Sequence, residues 1–370
     1  MPLSRIHIAN YRSLRDVSLE LGPLNVVTGP NGSGKSNLYR VLSLLATICD
    51  GGFSRTLAAE GGLTSVIWAG ERRNTGPVQL KIGFTLDDWS YELICGYTTS
   101  INDWSRFKLD PQVKEEAVWF GPKRKPSALQ VERKAGLTRV RDTAGQWADY
   151  HLSLSQNESI FSQLREPERF PELFRLREEI RQWRFYHHFR TDRDAPIRSP
   201  QFGVWTAALN HDGSDLASAL QTILECTDEG RALESAVASA LPGRSLRIEP
   251  TSDSGPSALC VALDTEGCLR PLEAHELSDG TLKFLCLAAA LLSPRPAPLL
   301  AINEPESGLH PDLLRPLAGL MIEASRQSQV WVTTHSRELA QAVVEGGGGR
   351  PIQLALIDGE TVIEKQEPDE

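Results

Sequence analysis

The chain has 370 residues, 40% of them hydrophobic and 24% charged, the composition of a soluble globular protein with a sizeable core. No run of about 18 consecutive apolar residues occurs and the opening MPLSRIHIANYRSLRD lacks an apolar signal segment, so a cytoplasmic protein is expected. A net charge of -9 excludes a generally basic nucleic-acid coat, and Cys49, Cys95, Cys226, Cys260, Cys268 and Cys286 form no C-x-x-C pair, so neither a disulfide nor zinc is expected.

The first residues alternate twice, at Ile6 and Ile8 and again at Val17, Leu19 and Leu21, and a third apolar run covers Leu24 to Thr28. Leu38, Val41, Leu42, Leu45 and Ile48 then fall at helical spacing, which predicts a hairpin, a strand, a glycine-rich turn and a helix. The turn, GPNGSGKS at residues 29–36, matches the P-loop pattern G-x-x-x-x-G-K-[ST] between a strand and a helix. Gly29, Gly32 and Gly34 let the backbone curl its N–H groups inward, and Asn31, Ser33 and Asn37 fall in or beside the same turn. Lys35 brings charge to the outer phosphates of ATP and Ser36 a hydroxyl for Mg²⁺. The bland alternative is a glycine-rich turn with a solvated lysine.

From Val78 the period becomes two: Val78, Leu80, Ile82, Phe84 and Leu86, an Asp87-Asp88 turn, then Trp89, Tyr91, Leu93 and Cys95. A second hairpin is predicted over Ala128 to Asp142 about Ala135-Gly136. Between Phe120 and Arg141, seven basic residues meet one acid, Glu132. They are Lys123, Arg124, Lys125, Arg133, Lys134, Arg139 and Arg141, candidate contacts to DNA phosphates or else a solvated face. Residues 158–240 carry charged helical segments, ELFRLREEIRQWRFY and SDLASALQTILE. The string Arg184 to Arg190 mixes bases and aromatics, as a nucleic-acid surface or a half-buried helix end does.

The last third predicts an apolar helix over Thr281 to Ser293, a strand Pro298 to Asn303, a helix after Pro311, a strand Val330 to Thr334 and a terminal hairpin, Ile352 to Ile357 and Thr361 to Ile363. PLLAINEPE delivers Asn303, Glu304 and Glu306 from a buried strand, which makes Glu304 the candidate general base for water attacking a γ phosphate. Asn303 stands where a Walker B aspartate usually holds the Mg²⁺ shell; an amide can bond a metal-bound water but carries no charge.

Leu277-Ser278-Asp279-Gly280-Thr281 resembles the LSGGQ-like signature of ABC-type ATPases, although Ser-Asp-Gly before a helix is also an ordinary cap. Ser307-Gly308-Leu309-His310 resembles the family's D-loop and Thr333-Thr334-His335-Ser336 its switch-histidine loop, which would make His335 a γ-phosphate sensor. The opening residues through Leu38 resemble those of RecF-like and SMC-like heads, in which an arginine beside the first strand reaches the nucleotide; Arg12 is the counterpart. The resemblance covers residues 1–50 and 272–340. It implies an ABC-type P-loop head, an α/β fold carrying an inserted antiparallel β lobe and a helical lobe. Four parts are expected: 1–75 and 246–370 as the two halves of the head, 76–150 as the β lobe and 151–245 as the helical lobe.

The same resemblance implies an ATPase that uses ATP and Mg²⁺ and dimerises head to tail, Ser278, Asp279 and Gly280 of one copy completing the other's nucleotide site. Gln156, or failing that Gln163, is the candidate for the glutamine that joins the metal site to the lobes. The long interval from Lys35 to Ser278 fits a RecF-like head, and 35 residues after His335 leave any cutting to a partner effector encoded nearby. DNA maintenance, DNA repair or phage defence is the expected setting, with no membrane partner. The alternatives are an ATP-gated assembly module with negligible turnover, because of Asn303, and a monomeric P-loop kinase or GTPase, whose base-reading motif or arginine lid is missing.

Overall fold

The structure is a computed structural model, and it describes every residue except 71–77, 99–106, 108, 135, 143–144, 152, 251–257, 350 and 365–370. Ala135 of the predicted turn and the acidic tail KQEPDE therefore lie outside the described residues. The chain gathers into two compact units, one of residues 1–22, 29–183 and 353–370 and one of residues 23–28 and 184–352.

In chain order, β1 (Leu3–Tyr11) and β2 (Leu14–Glu20) form the expected hairpin, β3 (Leu24–Thr28) follows, and α1 (Lys35–Ile48) begins at the P-loop lysine. Two short helices, α2 (Phe53–Ala59) and α3 (Leu63–Val66), come next. Strands β4 (Leu80–Leu86), β5 (Trp89–Tyr97), β6 (Pro111–Phe120), β7 (Leu129–Lys134), β8 (Leu137–Arg141) and β9 (Trp147–Asp149) then run antiparallel. With β1 and β2 they make one eight-stranded sheet in the order β2-β1-β4-β5-β6-β7-β8-β9. The alternation that predicted these strands also sets their register: Ile6 and Ile8 of β1 face Phe84 and Ile82 of β4, and all four are buried. Helices α4 (Ile160–Gln163) and α5 (Pro171–Arg181) complete this stretch.

The predicted helix ELFRLREEIRQWRFY stops at Arg181, and Arg184–Tyr186 is instead strand β10. It pairs in parallel with the strand that carries Asn303, Arg184 opposite Leu300 and Tyr186 opposite Ile302. Tyr186 is buried, its hydroxyl donates to the Leu209 carbonyl at 2.9 Å, and its ring lies 5.6 Å from that of Phe189, also buried. These aromatics build the core, so they are not a stacking surface for bases.

The second unit continues with β11 (Gln201–Phe202), α6 (Leu216–Glu225), α7 (Thr227–Ala240), the long hairpin β12 (Arg244–Pro250) and β13 (Ala258–Thr265), and β14 (Leu272–Glu273). Helix α8 (Asp279–Leu291), β15 (Leu299–Asn303), α9 (Leu314–Ala324), β16 (Gln329–Thr333) and α10 (Arg337–Glu345) follow, and the hairpin β17 (Ile352–Ile357) and β18 (Glu360–Ile363) closes the described chain. Strands β10, β15, β16 and β3 lie side by side and parallel. Every residue of β15 and β16 is buried, which is why both read as unbroken apolar runs. Helix α8 is apolar almost all round, from Leu282 to Leu291, because it runs through the core of this unit, with α6 and α9 as neighbours.

Candidate nucleotide site

The first unit holds the phosphate cradle. Gly29, Gly32 and Gly34 have φ of 150°, 81° and 103°, a backbone that side-chain-bearing residues rarely adopt. A Cβ on Gly32 would meet nothing, whereas one on Gly29 would overlap the Leu354 carbonyl and one on Gly34 the Thr361 hydroxyl, so the loop's two ends are shaped from behind. Helix α1 starts at Gly34 with no side-chain cap and no acid in its first turn, which leaves its N-terminal N–H groups for an anion. Lys35 is 3% exposed, and its Nζ donates to the carbonyls of Gly29 at 2.6 Å and Pro30 at 2.9 Å, folding the side chain over its own loop. Asn31 and Ser36 are exposed, Ser33 is buried with no partner for its hydroxyl among the described residues, and Asn37 Nδ2 donates to Ser13 Oγ at 2.9 Å. Arg12 has φ of 50°, and its Nη2 donates to Glu60 at 2.9 Å, an oxygen that also accepts from the Tyr11 hydroxyl at 2.6 Å. Burial and that same Glu60 contact push the Tyr11 hydroxyl's pKa well up.

Gln156 is exposed on a turn, where its side-chain oxygen accepts from Gln112 and its carbonyl from the Val113 N–H at 2.8 Å. Gln163 spends its amide on the turn before α4, donating to the carbonyls of Ser155, Glu158 and Ser159.

The second unit holds the carboxylates and the histidine. Glu304 follows β15 at φ of 48°, a strained position for a residue with a side chain, and its N–H is held by the Thr333 carbonyl at 2.8 Å. Its Oε1 lies 2.8 Å from His335 Nε2, and both side chains are about one-third exposed, at 34% and 37%. Glu306 orients the histidine loop, its Oε1 accepting from the N–H groups of His335 at 2.6 Å and Ser336 at 3.2 Å. Asn303 is 5% exposed, and both ends of its amide are engaged. Oδ1 accepts from Thr333 Oγ1 at 2.6 Å, and Nδ2 donates to Nδ1 of His187 at 2.9 Å. His187 stands directly after β10, a partner that no linear motif announces.

Ser278 caps α8, its Oγ accepting from the Thr281 N–H at 3.2 Å, and Ser278 and Asp279 remain exposed. Gly280 approaches the D-loop so closely that a Cβ there would sit 2.9 Å from the Gly308 carbonyl. Two basic residues missed by motif reading fix this corner. Arg198 donates to the carbonyls of Leu277 at 2.8 Å, Ala274 at 3.1 Å and Thr191 at 2.8 Å and pairs with the Asp279 carboxylate. Lys283 Nζ donates to the Ser307 carbonyl; burial holds its pKa below the usual lysine range, and Glu306 and Glu304 oppose that shift.

The basic face is narrower than its sequence. Arg133 is 2% exposed, pairs with buried Glu116 at 3.7 Å and donates to the carbonyls of Ser155 at 2.6 Å and Glu158 at 2.8 Å, so it is a core residue and not a surface contact. The β-strand period of two put it on the inner face of β7, beside outward neighbours. Arg124 pairs with Glu92 and Glu132, Lys134 with Glu115 and Arg139 with Asp149, while Arg141 donates to backbone carbonyls and lies 4.8 Å from the Trp147 ring. Lys123 and Lys125 are exposed without an ion pair among the described residues.

No group of three or more His, Cys, Asp or Glu suited to a metal is found among the described residues. No helix of the described residues is long and apolar enough to cross a membrane.

A 48-residue stretch is 48% identical to the DNA replication and repair protein RecF of Magnetococcus marinus, covering 13% of each chain. A 43-residue stretch is 44% identical to the OLD nuclease of Thermus scotoductus, covering 12% of this chain and 8% of that protein. Both spans fall far short of two thirds of those proteins' length. The fold is similar, at a TM-score of 0.53 and 14% identity, to an SMC head solved with the C-winged helix domain of ScpA bound, over 98% of both chains. It is also similar to the Pyrococcus furiosus SMC head with an extended coiled coil, at 0.50 and 12%. The family model described as "AAA domain, putative AbiEii toxin, Type IV TA system" matches residues 24–340, and the chain belongs to that family.

Proposed function

We propose that the chain binds ATP with Mg²⁺ and hydrolyses it, and that it dimerises around the nucleotide. The observation that carries the catalytic part is the His335–Glu304 pair at 2.8 Å, on a glutamate held at φ of 48°. In this reading the glycine loop and Lys35 bind the phosphates, and a Mg²⁺ ion arriving with the nucleotide would be offered the Ser36 hydroxyl and, through a bound water, the Asn303 amide, and would supply charge that offsets the phosphates. Glu304 takes a proton from the attacking water, the bond between the β–γ bridging oxygen and the γ phosphorus breaks, and ADP and phosphate leave. His335 keeps the carboxylate aimed. Ser278 and Asp279 are exposed, Ser278 as the cap of α8 and Asp279 paired with Arg198, and in this reading they meet a second copy, as the family resemblance implies. Arg12, tied to Glu60, must exchange that partner to reach a nucleotide.

The likeness to a DNA replication and repair protein and to a nuclease supports a role with DNA; in this reading repair or phage defence is the setting, an effector is a further partner, and exposed Lys123 and Lys125 offer the phosphate contacts. A second reading, an ATP-gated assembly module, is favoured by the neutral and fully engaged Asn303. Turnover decides between them. Glu304→Gln removes the base, a contribution of roughly 10² to 10⁴ in rate. Wild-type turnover that falls by that factor, with an ATP-bound dimer accumulating in light scattering, fits the enzyme. Equal, negligible turnover in both proteins fits the module.

A further inference from the structure

We infer that the terminal hairpin β17–β18 is the positioning element of the phosphate loop, with Thr361 as the residue through which it acts; this rests on the loop being the nucleotide site. The contacts lie within the first unit and reach both ends of the loop. A Cβ on Gly29, the loop's first glycine, would overlap the Leu354 carbonyl of β17, and one on Gly34, its last, would overlap Thr361 Oγ1 of β18. The loop's curvature is therefore cast against the hairpin as well as allowed by glycine.

A polar chain links the same places. Thr361 Oγ1 lies 2.7 Å from Ser13 Oγ, Ser13 Oγ accepts from Asn37 Nδ2 at 2.9 Å, and the Thr361 N–H donates to the Ser13 carbonyl at 2.8 Å. Asn37 is in the first turn of α1, one residue beyond Ser36, so the hydroxyl pair fixes the helix end whose uncapped N–H groups are left for an anion. Thr361 is 5% exposed, and water cannot readily replace its hydroxyl. Around the turn, Glu360 pairs with Arg15, whose guanidinium lies 5.6 Å from the Trp68 ring. A segment more than 300 residues away in the sequence thus sets the shape of the loop.

Two consequences separate this role from mere stability. If the hairpin sets the loop, a nucleotide on the loop must in turn hold the hairpin, because the coupling between two equilibria is reciprocal. The conservative hydroxyl must also restore what the isosteric methyl removes.

The test titrates wild type, Thr361→Val, Thr361→Ser, Ser13→Ala and Lys35→Ala with ATPγS and Mg²⁺ by calorimetry. It also follows hydrogen exchange of residues 352–363 with and without ATPγS. Thr361→Val should bind about tenfold more weakly, because the hairpin no longer holds the loop, and should also unfold a few degrees lower, since one or two buried hydroxyl hydrogen bonds are lost. Thr361→Ser should return to within about twofold, and bound ATPγS should slow exchange in the wild-type hairpin. Equal affinity of wild type and Thr361→Val, or hairpin exchange indifferent to ATPγS, overturns the inference. Should Thr361→Val not fold, Ser13→Ala and the wild-type exchange decide by the same criteria. A wild type that binds ATPγS no better than Lys35→Ala overturns the nucleotide reading, and this one with it.

Discussion

Arg198 offers the sharpest test of how the signature segment is held. Its guanidinium, 10% exposed, bonds the carbonyls on both sides of the loop, Ala274 and Leu277, and anchors through Nε to the Thr191 carbonyl. Its link to Asp279 adds little by itself, since that carboxylate is 70% exposed and solvated. Arg198→Met keeps the apolar stem and removes the donors. A hydrogen bond from a charged donor is worth about 1.5 to 3 kcal/mol, but the three carbonyls lie at a partly exposed rim where water recovers much of the loss. The net cost should be about 2 to 3 kcal/mol. In a unit of this size that lowers the melting temperature by roughly 4 to 12 °C. The loss is local, so hydrogen exchange should accelerate over residues 272–282 more than elsewhere. ATP affinity should stay near wild type, because the P-loop contacts are untouched, while turnover falls. Arg198→Lys, which reaches one or two of the acceptors, should lie between. Unchanged exchange over 272–282 would refute the clamp, and a loosened loop with undiminished turnover would remove the signature from the catalytic cycle.

Lys35→Ala should weaken ATP binding by at least about tenfold, since charge-assisted phosphate contacts are worth about 1.5 to 3 kcal/mol each; calorimetry checks it, and wild-type affinity would rule out the cradle. Asn303→Asp puts a carboxylate where the proposed metal shell would lie and should raise apparent Mg²⁺ affinity about tenfold, roughly 1.4 kcal/mol for one added charge near a cation. A Mg²⁺ titration of nucleotide binding reads this directly, and no change would mean that Asn303 lies outside the shell. Lys123→Glu with Lys125→Glu should reduce the slope of log affinity for duplex DNA against log salt by about 1.8, two contacts at about 0.9 each. A wild type with no salt-sensitive DNA affinity would leave these lysines as ordinary solvated charges.

What could be read from the sequence were the pieces whose chemistry is contiguous. The P-loop needs eight neighbouring positions to close one cradle, and α1 and β3 flank it because helical and buried-strand patterns are local. The strand ends that precede Glu304 and His335 were legible for a similar reason: β15 and β16 are buried runs, and adjacent parallel strands present their C-terminal ends together. Strand β10 was misread as the end of a helix because charged residues run into it without a turn residue, and three residues are too few to show a period.

The partners that shape the site were invisible for a different reason. Arg198, His187 and Thr361 each act on a segment more than 75 residues away, and nothing in their own neighbourhoods marks them. Arg133 shows the converse error. Counting charges along a hairpin treats all of them as outward, yet a strand turns successive side chains to opposite faces. Arg133 falls on the inner face, opposite buried Glu116, which lies outside the stretch that was counted. A basic cluster on a strand should therefore be split by parity before it is read as a binding face. Here that rule sets Lys134 apart from Arg133, and the ion pairs of Arg124, Lys134 and Arg139, not parity, set those residues apart from Lys123 and Lys125, which precede the strand.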